Sequence, residues 1–188
     1  MAEPQVLTVA VIGAGSAGRE FALACASAGY KVVLEDVMPA KLRDAEAAFL
    51  TLGRDVHLVS TVDDAVRDAE LAIDFVPDEL ESKLEIFSLI DRMAPPRTIL
   101  CTPSETLSIT DLASCTYRAD RCVMVRGLAS ERAGGPVRVL YPRGAAPDAL
   151  AAVSDLLRAI GRTPSPESDP DLPMLMKNMG YRPGETHF

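Results

Sequence analysis

Apolar residues recur along the chain in two rhythms. Short, almost unbroken runs rich in β-branched residues occupy positions 6–12, 31–36, 56–60, 71–76, 98–101, 121–125 and 137–141. Between them lie stretches with apolar residues three and four apart, at 16–28, 39–52, 79–93 and 147–160. Shorter ones open at Thr61 and Ser108. An unbroken apolar run suits a strand buried on both faces. The wider spacing, as in Leu80, Leu84, Phe87 and Ile90, suits one face of a helix. The punctuation agrees. Gly29, Gly53 and Gly161 close helical patterns, Pro39 sits at a first helical turn, and Pro95 and Pro96 end the 79–93 pattern. Strands alternating with helices imply βαβ units. The predicted fold class is α/β, a doubly wound Rossmann-type parallel sheet with helices on both faces.

The alternation stops near the C-terminus. Pro164, Pro166, Pro170 and Pro173 are interleaved with Glu167, Asp169 and Asp171. Such proline density opposes both a helix and a central strand. The predicted organisation is one domain over 1–164 and an extended, proline-rich arm over 165–188. The plain reading of the arm is a frayed tail. The sharper one starts from the apolar patch Met174, Leu175, Met176 and Met179. It expects the arm to dock on its own domain or on a second subunit as a homodimer.

Composition narrows the ligand more than the fold. The 188 residues carry 19 Lys and Arg against 27 Asp and Glu, a net charge of −8. That field is a poor match for nucleic acid or an anionic membrane. No run approaches the roughly 20 apolar residues of a membrane span, and the N-terminus has no secretory pattern, so the expected location is the cytoplasm. Four cysteines without a C-x-x-C and only two histidines make a metal site an unpromising expectation; reduced thiols fit better. An anionic ligand must therefore be held by a local device.

Such a device follows the first strand. Gly13, Ala14, Gly15, Ser16, Ala17 and Gly18 form G-x-G-x-x-G between a strand and a helix. Gly13 permits the tight turn, Gly15 lets backbone approach a pyrophosphate, and Gly18 lets helix and strand pack closely. The N–H groups of the first helical turn, Ser16 and Ala17 among them, are then free to hold phosphate. Asp36 ends the next strand, where a carboxylate can accept from ribose hydroxyls and repel a 2′-phosphate. NAD is the expected cofactor; FAD, or a glycine turn with no ligand, remain open on the residues alone. Strand alternation turns the adjacent Glu35 to the other side.

The stretch VAVIGAGSAGREFALACASAGYKVVLEDV resembles the opening of the L-3-hydroxyacyl-CoA dehydrogenases. The likeness continues through STVDDAVRDAELAIDFVPDELESKLEIFSLIDRMAPPRTIL, TLSITDLA and LLRAIGRTP, covering about 6–164. It implies an NAD-binding domain that precedes a helical domain in enzymes oxidising the 3-hydroxyl of an acyl-CoA, in fatty-acid metabolism. It also implies that Asp78 and Lys83 lie beside the ribose and nicotinamide end. Without the likeness, they read as a helix cap and a solvated lysine.

The family's catalytic residues do not carry over. Its S-N-T-S-S-L motif is Thr102-Pro103-Ser104-Glu105-Thr106-Leu107 here, with Pro103 for the Asn and Glu105 for the Ser. Ser104 could stand in only if the loop shifted by one residue. The family's H-F-F-N-P, whose His is the general base, is Arg126-Gly127-Leu128-Ala129-Ser130, and Arg138 stands where a Glu orients that His. A guanidinium keeps its proton near neutral pH, so Arg126 cannot be a general base, although it suits an anionic substrate group. No catalytic residue is assigned. Two functions follow. One is an oxidoreductase with an altered base, or with a separate partner chain supplying the helical domain. The other is a non-catalytic NAD(H)-binding regulatory or interaction module, a pseudoenzyme.

Overall fold

A computed structural model describes residues 7–128 and 135–170. The strands are β1 (Thr8–Ile12), β2 (Lys31–Glu35), β3 (His57–Val59), β4 (Leu71–Asp74), β5 (Ile99–Pro103), β6 (Cys122–Arg126), β7 (Pro136–Tyr141) and β8 (Thr163–Ser168). The helices are α1 (Ser16–Ser27), α2 (Pro39–Thr51), α3 (Val62–Val66), α4 (Leu80–Met93), α5 (Ile109–Ala113) and α6 (Pro147–Ala159). All eight strands join one sheet in the order β3-β2-β1-β4-β5-β6-β7-β8. From β1 the chain first winds outward through β2 and β3, then returns to place β4 on the other side of β1. That reversal opens a crevice beyond the C-terminal ends of β1 and β4, where open α/β sheets bind ligands.

The strands alternate their side chains between two cores. Val9, Val11, Val32 and Leu34 face α1, α2 and α6, with Phe21, Cys25, Phe49, Val153 and Leu157. Ala10, Ile12, Val33 and Leu100 face α3, α4 and α5, with Val66, Phe87, Ile90 and Leu112. Each fully buried aliphatic side chain such as Leu34, Ile73 or Leu100 contributes roughly 1.5–3 kcal/mol of transfer free energy. Short helices are pinned by hydroxyl caps. Thr61 accepts the Asp64 N–H at 3.2 Å and Ser108 accepts the Asp111 N–H at 3.3 Å. Cys25, Cys101 and Cys122 lie in the core and Cys115 is exposed; all four are free thiols. Burial pushes Cys25 and Cys122 up to about 12, so neither is a ready nucleophile.

Two features differ from the sequence expectation. The sheet is mixed, because β7 runs antiparallel to β6, with Met124 opposite Leu140 and Arg126 opposite Arg138. The connection between β6 and β7 holds no helix among its described residues, and strands joined without a crossover turn back on themselves. Second, the boundary expected at 164 falls inside β8. Residues 163–168 pair in parallel with β7, Val137 opposite Pro164 and Val139 opposite Pro166. Prolines two apart can both turn their donor-less nitrogens to the open edge, so they are compatible with an edge strand though not with a central one. The start of the expected arm thus docks on its own domain, as the return of a β7-α6-β8 unit. The Met174–Met179 patch lies outside the described residues.

Candidate functional site

The three motif glycines each answer a different steric demand. Gly13 has φ +103°, the left-handed region that favours glycine, and a Cβ there would sit 3.3 Å from the Phe75 carbonyl oxygen. A Cβ on Gly18 would lie 1.9 Å from the Gly13 carbonyl oxygen, a distance no structure tolerates. Gly15 has nothing within 4 Å of its would-be Cβ, so the space above it is open. Gly15 is also the N-cap of α1, without a side-chain cap, and the first turn carries no acid. Gly15, Ser16 and Ala17 are exposed. The uncapped N-terminus of this 12-residue helix beside open space suits an anion.

Asp36 closes the cradle from β2. Its Oδ2 accepts the Ala14 N–H and its Oδ1 the Met38 N–H, both at 2.9 Å. Lys41 Nζ stands 3.2 Å from Oδ2. Burial opposes the charge, yet the two N–H donors and Lys41 outweigh it and hold the carboxyl below its ordinary range. A carboxylate has about four acceptor positions, so as it stands Asp36 has about one to offer a ribose hydroxyl. Lys41, 43% exposed, can swing away to free a second.

Glu35 keeps step with Val33 and faces the α3 side, as alternation required. It is almost wholly buried, and its Oε1 has no hydrogen-bond partner among the described residues. Burial, reinforced by Asp36 and opposed by Lys41, pushes its carboxyl up to about 7. Sequence reasoning missed this group. The available signal was an acid ending an otherwise apolar run.

Asp78 and Lys83 occupy positions that neither plain reading anticipated. Asp78 Oδ2 accepts the Glu105 N–H at 3.0 Å, tying the loop after β4 to the loop after β5. Lys83 is buried in α4 and donates to Asp74 Oδ1 at 2.7 Å. Asp74, at the end of β4, is likewise buried; burial lifts its carboxyl above the usual range against the pull of Lys83. The Thr102 hydroxyl on β5 and Asp74 Oδ2 are both buried without a hydrogen-bond partner among the described residues.

Beyond β5 and β6 the loops are stitched together. Ser104 is buried, and its Oγ accepts the N–H groups of Thr106 at 3.3 Å and Leu107 at 3.0 Å. Both lone pairs of its hydroxyl are therefore spent on the turn. Glu105 Oε1 accepts the Gly127 N–H at 2.7 Å. Arg126 Nη2 donates to the Leu107 carbonyl at 2.6 Å. Arg138, its cross-strand partner, makes two bonds to Glu167, at 2.8 and 2.9 Å. The two arginines that replace the family's His and Glu are thus neighbours in the sheet. Among the described residues no cluster of three or more His, Cys, Asp or Glu could hold a metal ion. No helix among them is long and apolar enough to cross a membrane.

The switch-point crevice, the glycine cradle and the carboxylate at the end of β2 define a dinucleotide-binding domain of the Rossmann type. Comparison with known proteins agrees and is more specific. The model of the 3-hydroxyacyl-CoA dehydrogenase NAD-binding domain matches residues 8–169, so the chain belongs to that family, whose cofactor is NAD. A 5-formyl-3-hydroxy-2-methylpyridine 4-carboxylate 5-dehydrogenase of Mesorhizobium japonicum is 27% identical over 174 residues, covering 85% of this chain and 56% of the relative. A probable 3-hydroxybutyryl-CoA dehydrogenase of Bacillus subtilis is 29% identical over 138 residues, covering 63% and 47%. A crystal structure of the first kind of enzyme, described as an NAD+-dependent dismutase, superposes with TM-score 0.75 at 26% identity, covering 94% of this chain and 62% of that one. The chain spans about half the length of the curated relatives it matches. The residues fit the cofactor, since the space above Gly15 is open, and Gly18, where a Cβ would strike the Gly13 carbonyl, lets α1 come close behind it.

Proposed function

We propose that the chain binds NAD(H) across the C-terminal ends of β1, β2 and β4, and that by itself it does not run the family's His-dependent oxidation of 3-hydroxyacyl-CoA. Bound NAD supplies a hydride acceptor. Around it, the N–H groups of Gly15, Ser16, Ala17 and Gly18 hold the pyrophosphate, with the positive end of α1 behind them. Gly13 and Gly18 keep the loop low enough for that approach. Asp36 accepts from the adenosine ribose and disfavours a 2′-phosphate. Asp78 stands further along the edge and positions the Glu105 loop at the nicotinamide end. Lys83 acts from beneath, by balancing Asp74 under the edge of the sheet. The observation that carries this reading is the clearance at the glycines: an open cradle where a phosphate must sit and no room where helix and strand must touch.

Arg126 and Arg138 favour the second half of the proposal. A base and its orienting carboxylate act as a unit, and two adjacent guanidinium groups cannot replace it. The Asp78–Glu105–Gly127 stitch also favours a binding module over the family's enzyme, because it ties together the three loops that surround the substrate end.

The chain has no Trp, so NADH fluorescence can be followed on a low background. Titration with NADH should show saturable binding; a flat response up to about millimolar NADH, weaker than roughly −4 kcal/mol, overturns the reading. With 3-hydroxybutyryl-CoA and NAD no NADH should form, and turnover would refute the second half. Asp36→Ala should weaken NADH roughly tenfold or more, the loss of a charge-assisted hydrogen bond, and narrow the preference over NADPH. Unchanged affinity for both nucleotides would remove Asp36 from the ribose.

A further inference from the structure

Arg126 is a cation that the described protein does not neutralise. Its side chain is partly buried at the C-terminal end of β6. One nitrogen, Nη2, is fixed by the Leu107 carbonyl. A second, Nε, is buried with no partner among the described residues. The third, Nη1, makes no hydrogen bond there either and is not among the buried nitrogens, so it is the end of the fork that faces outward. No carboxylate of the described residues lies within ion-pair distance, although acids surround the position. Glu105 is held by the Gly127 N–H. Glu167, near enough to feel the Arg126 charge, is taken by both arms of Arg138. Asp78 is engaged by the Glu105 N–H. Among the described residues, these three acids are thus each held by another donor. A partly desolvated cation left in that state is unfavourable until an anion meets it.

We infer that Arg126 heads a binding site for the carboxylate of a small organic acid at the C-terminal ends of β5 and β6; that this site adjoins a bound nucleotide rests on the NAD reading above. The backbone bond to Leu107 pre-orients the guanidinium, so little rotamer freedom is lost when a ligand arrives, and a planar fork matches a carboxylate better than it matches a single-point acceptor. Glu105 and Glu167 set the selectivity. Their charges bound the site and penalise multiply charged anions, so a monocarboxylate is favoured over inorganic phosphate.

The test is calorimetric titration of acetoacetate into the protein, alone and saturated with NADH, with methyl acetoacetate and inorganic phosphate as parallel probes. Acetoacetate should bind, and its uncharged ester should not. Arg126→Gln should lose at least roughly tenfold in acetoacetate affinity, and Arg126→Lys should recover part of it, since the charge remains but the fork does not. Three results each overturn the inference: no acetoacetate binding by the unsubstituted protein, equal binding of the ester, or phosphate binding in place of acetoacetate. Acetoacetate binding unchanged in Arg126→Gln does so as well. The ester comparison needs no variant, so it decides even if Arg126→Gln fails to fold. Because acetoacetate is also titrated without nucleotide, failure to bind NADH would overturn the NAD reading and leave the carboxylate result to be judged separately.

Discussion

At the scale of single residues, the decisive facts are distances of a few ångströms around backbone. The Gly18 position tolerates no side chain, since its Cβ would fall 1.9 Å from the Gly13 oxygen. Gly18→Ala must push α1 off β1, and should abolish NADH binding while lowering the melting temperature; a variant that binds NADH normally would mean that the helix shifts without consequence. Glu35 makes a pH prediction. Its folded-state value near 7 lies above its ordinary value of 4.5, so the native state holds a proton that the unfolded chain gives up between those pH values. Stability tied to this group is complete below about pH 4.5, falls as pH rises to about 7, and is flat above, a loss of about 3 kcal/mol. Denaturant titrations should show Glu35→Gln more stable than the parent at pH 8 and closer to it at pH 4.5; parallel pH profiles would refute the shift. Asp36 works in the opposite direction and lower down, because its carboxyl is held below the usual range. The Glu35 window is therefore read without interference from it. Both acids are adjacent in sequence, and only their opposite faces separate their behaviour.

At the scale of elements, β8 changes the reading of the C-terminus. A proline-rich, acidic segment carries little of the usual strand signal, and its side chains are mostly exposed. What holds it is backbone pairing along β7, the Arg138–Glu167 pair, and Asp169, whose Oδ2 accepts the Ser108 hydroxyl at 2.8 Å and the Thr110 N–H at 2.9 Å. The ion pair is exposed and by itself contributes little. Removing residues 163–188 should expose the edge of β7, destabilise the domain and promote association; a melting temperature equal to the parent's would show that β8 carries no stability. The remaining elements were legible from the periodicity because apolar spacing agrees with the glycines and prolines that punctuate it. Thr61 and Ser108 mark the starts of α3 and α5, and their side chains make the bonds their positions suggest. The direction of β7 was not legible, since periodicity reports which face is buried and not which way a strand runs.

At the scale of the whole molecule, an acidic chain keeps its acids out of the first turn of α1 and places that turn at the switch point of the sheet. The sequence by itself determined the α/β class, the order of elements, and the G-x-G-x-x-G turn with Asp36 at the end of the next strand. These are properties of local spacing and residue type, which a linear pattern records. Only the tertiary structure decided how the polar groups are shared out. It buried Lys83 against Asp74, spent Ser104 on its own turn, left Glu35 Oε1 unpartnered, and bound Glu105 and Glu167 to donors other than Arg126. Those outcomes depend on which loops meet at the end of the sheet. Hydrogen-bond partners 22 and 29 positions apart, as Gly127 is from Glu105 and Arg138 from Glu167, leave no mark in the periodicity of either segment, because the competition among donors and acceptors is settled only when the strands align.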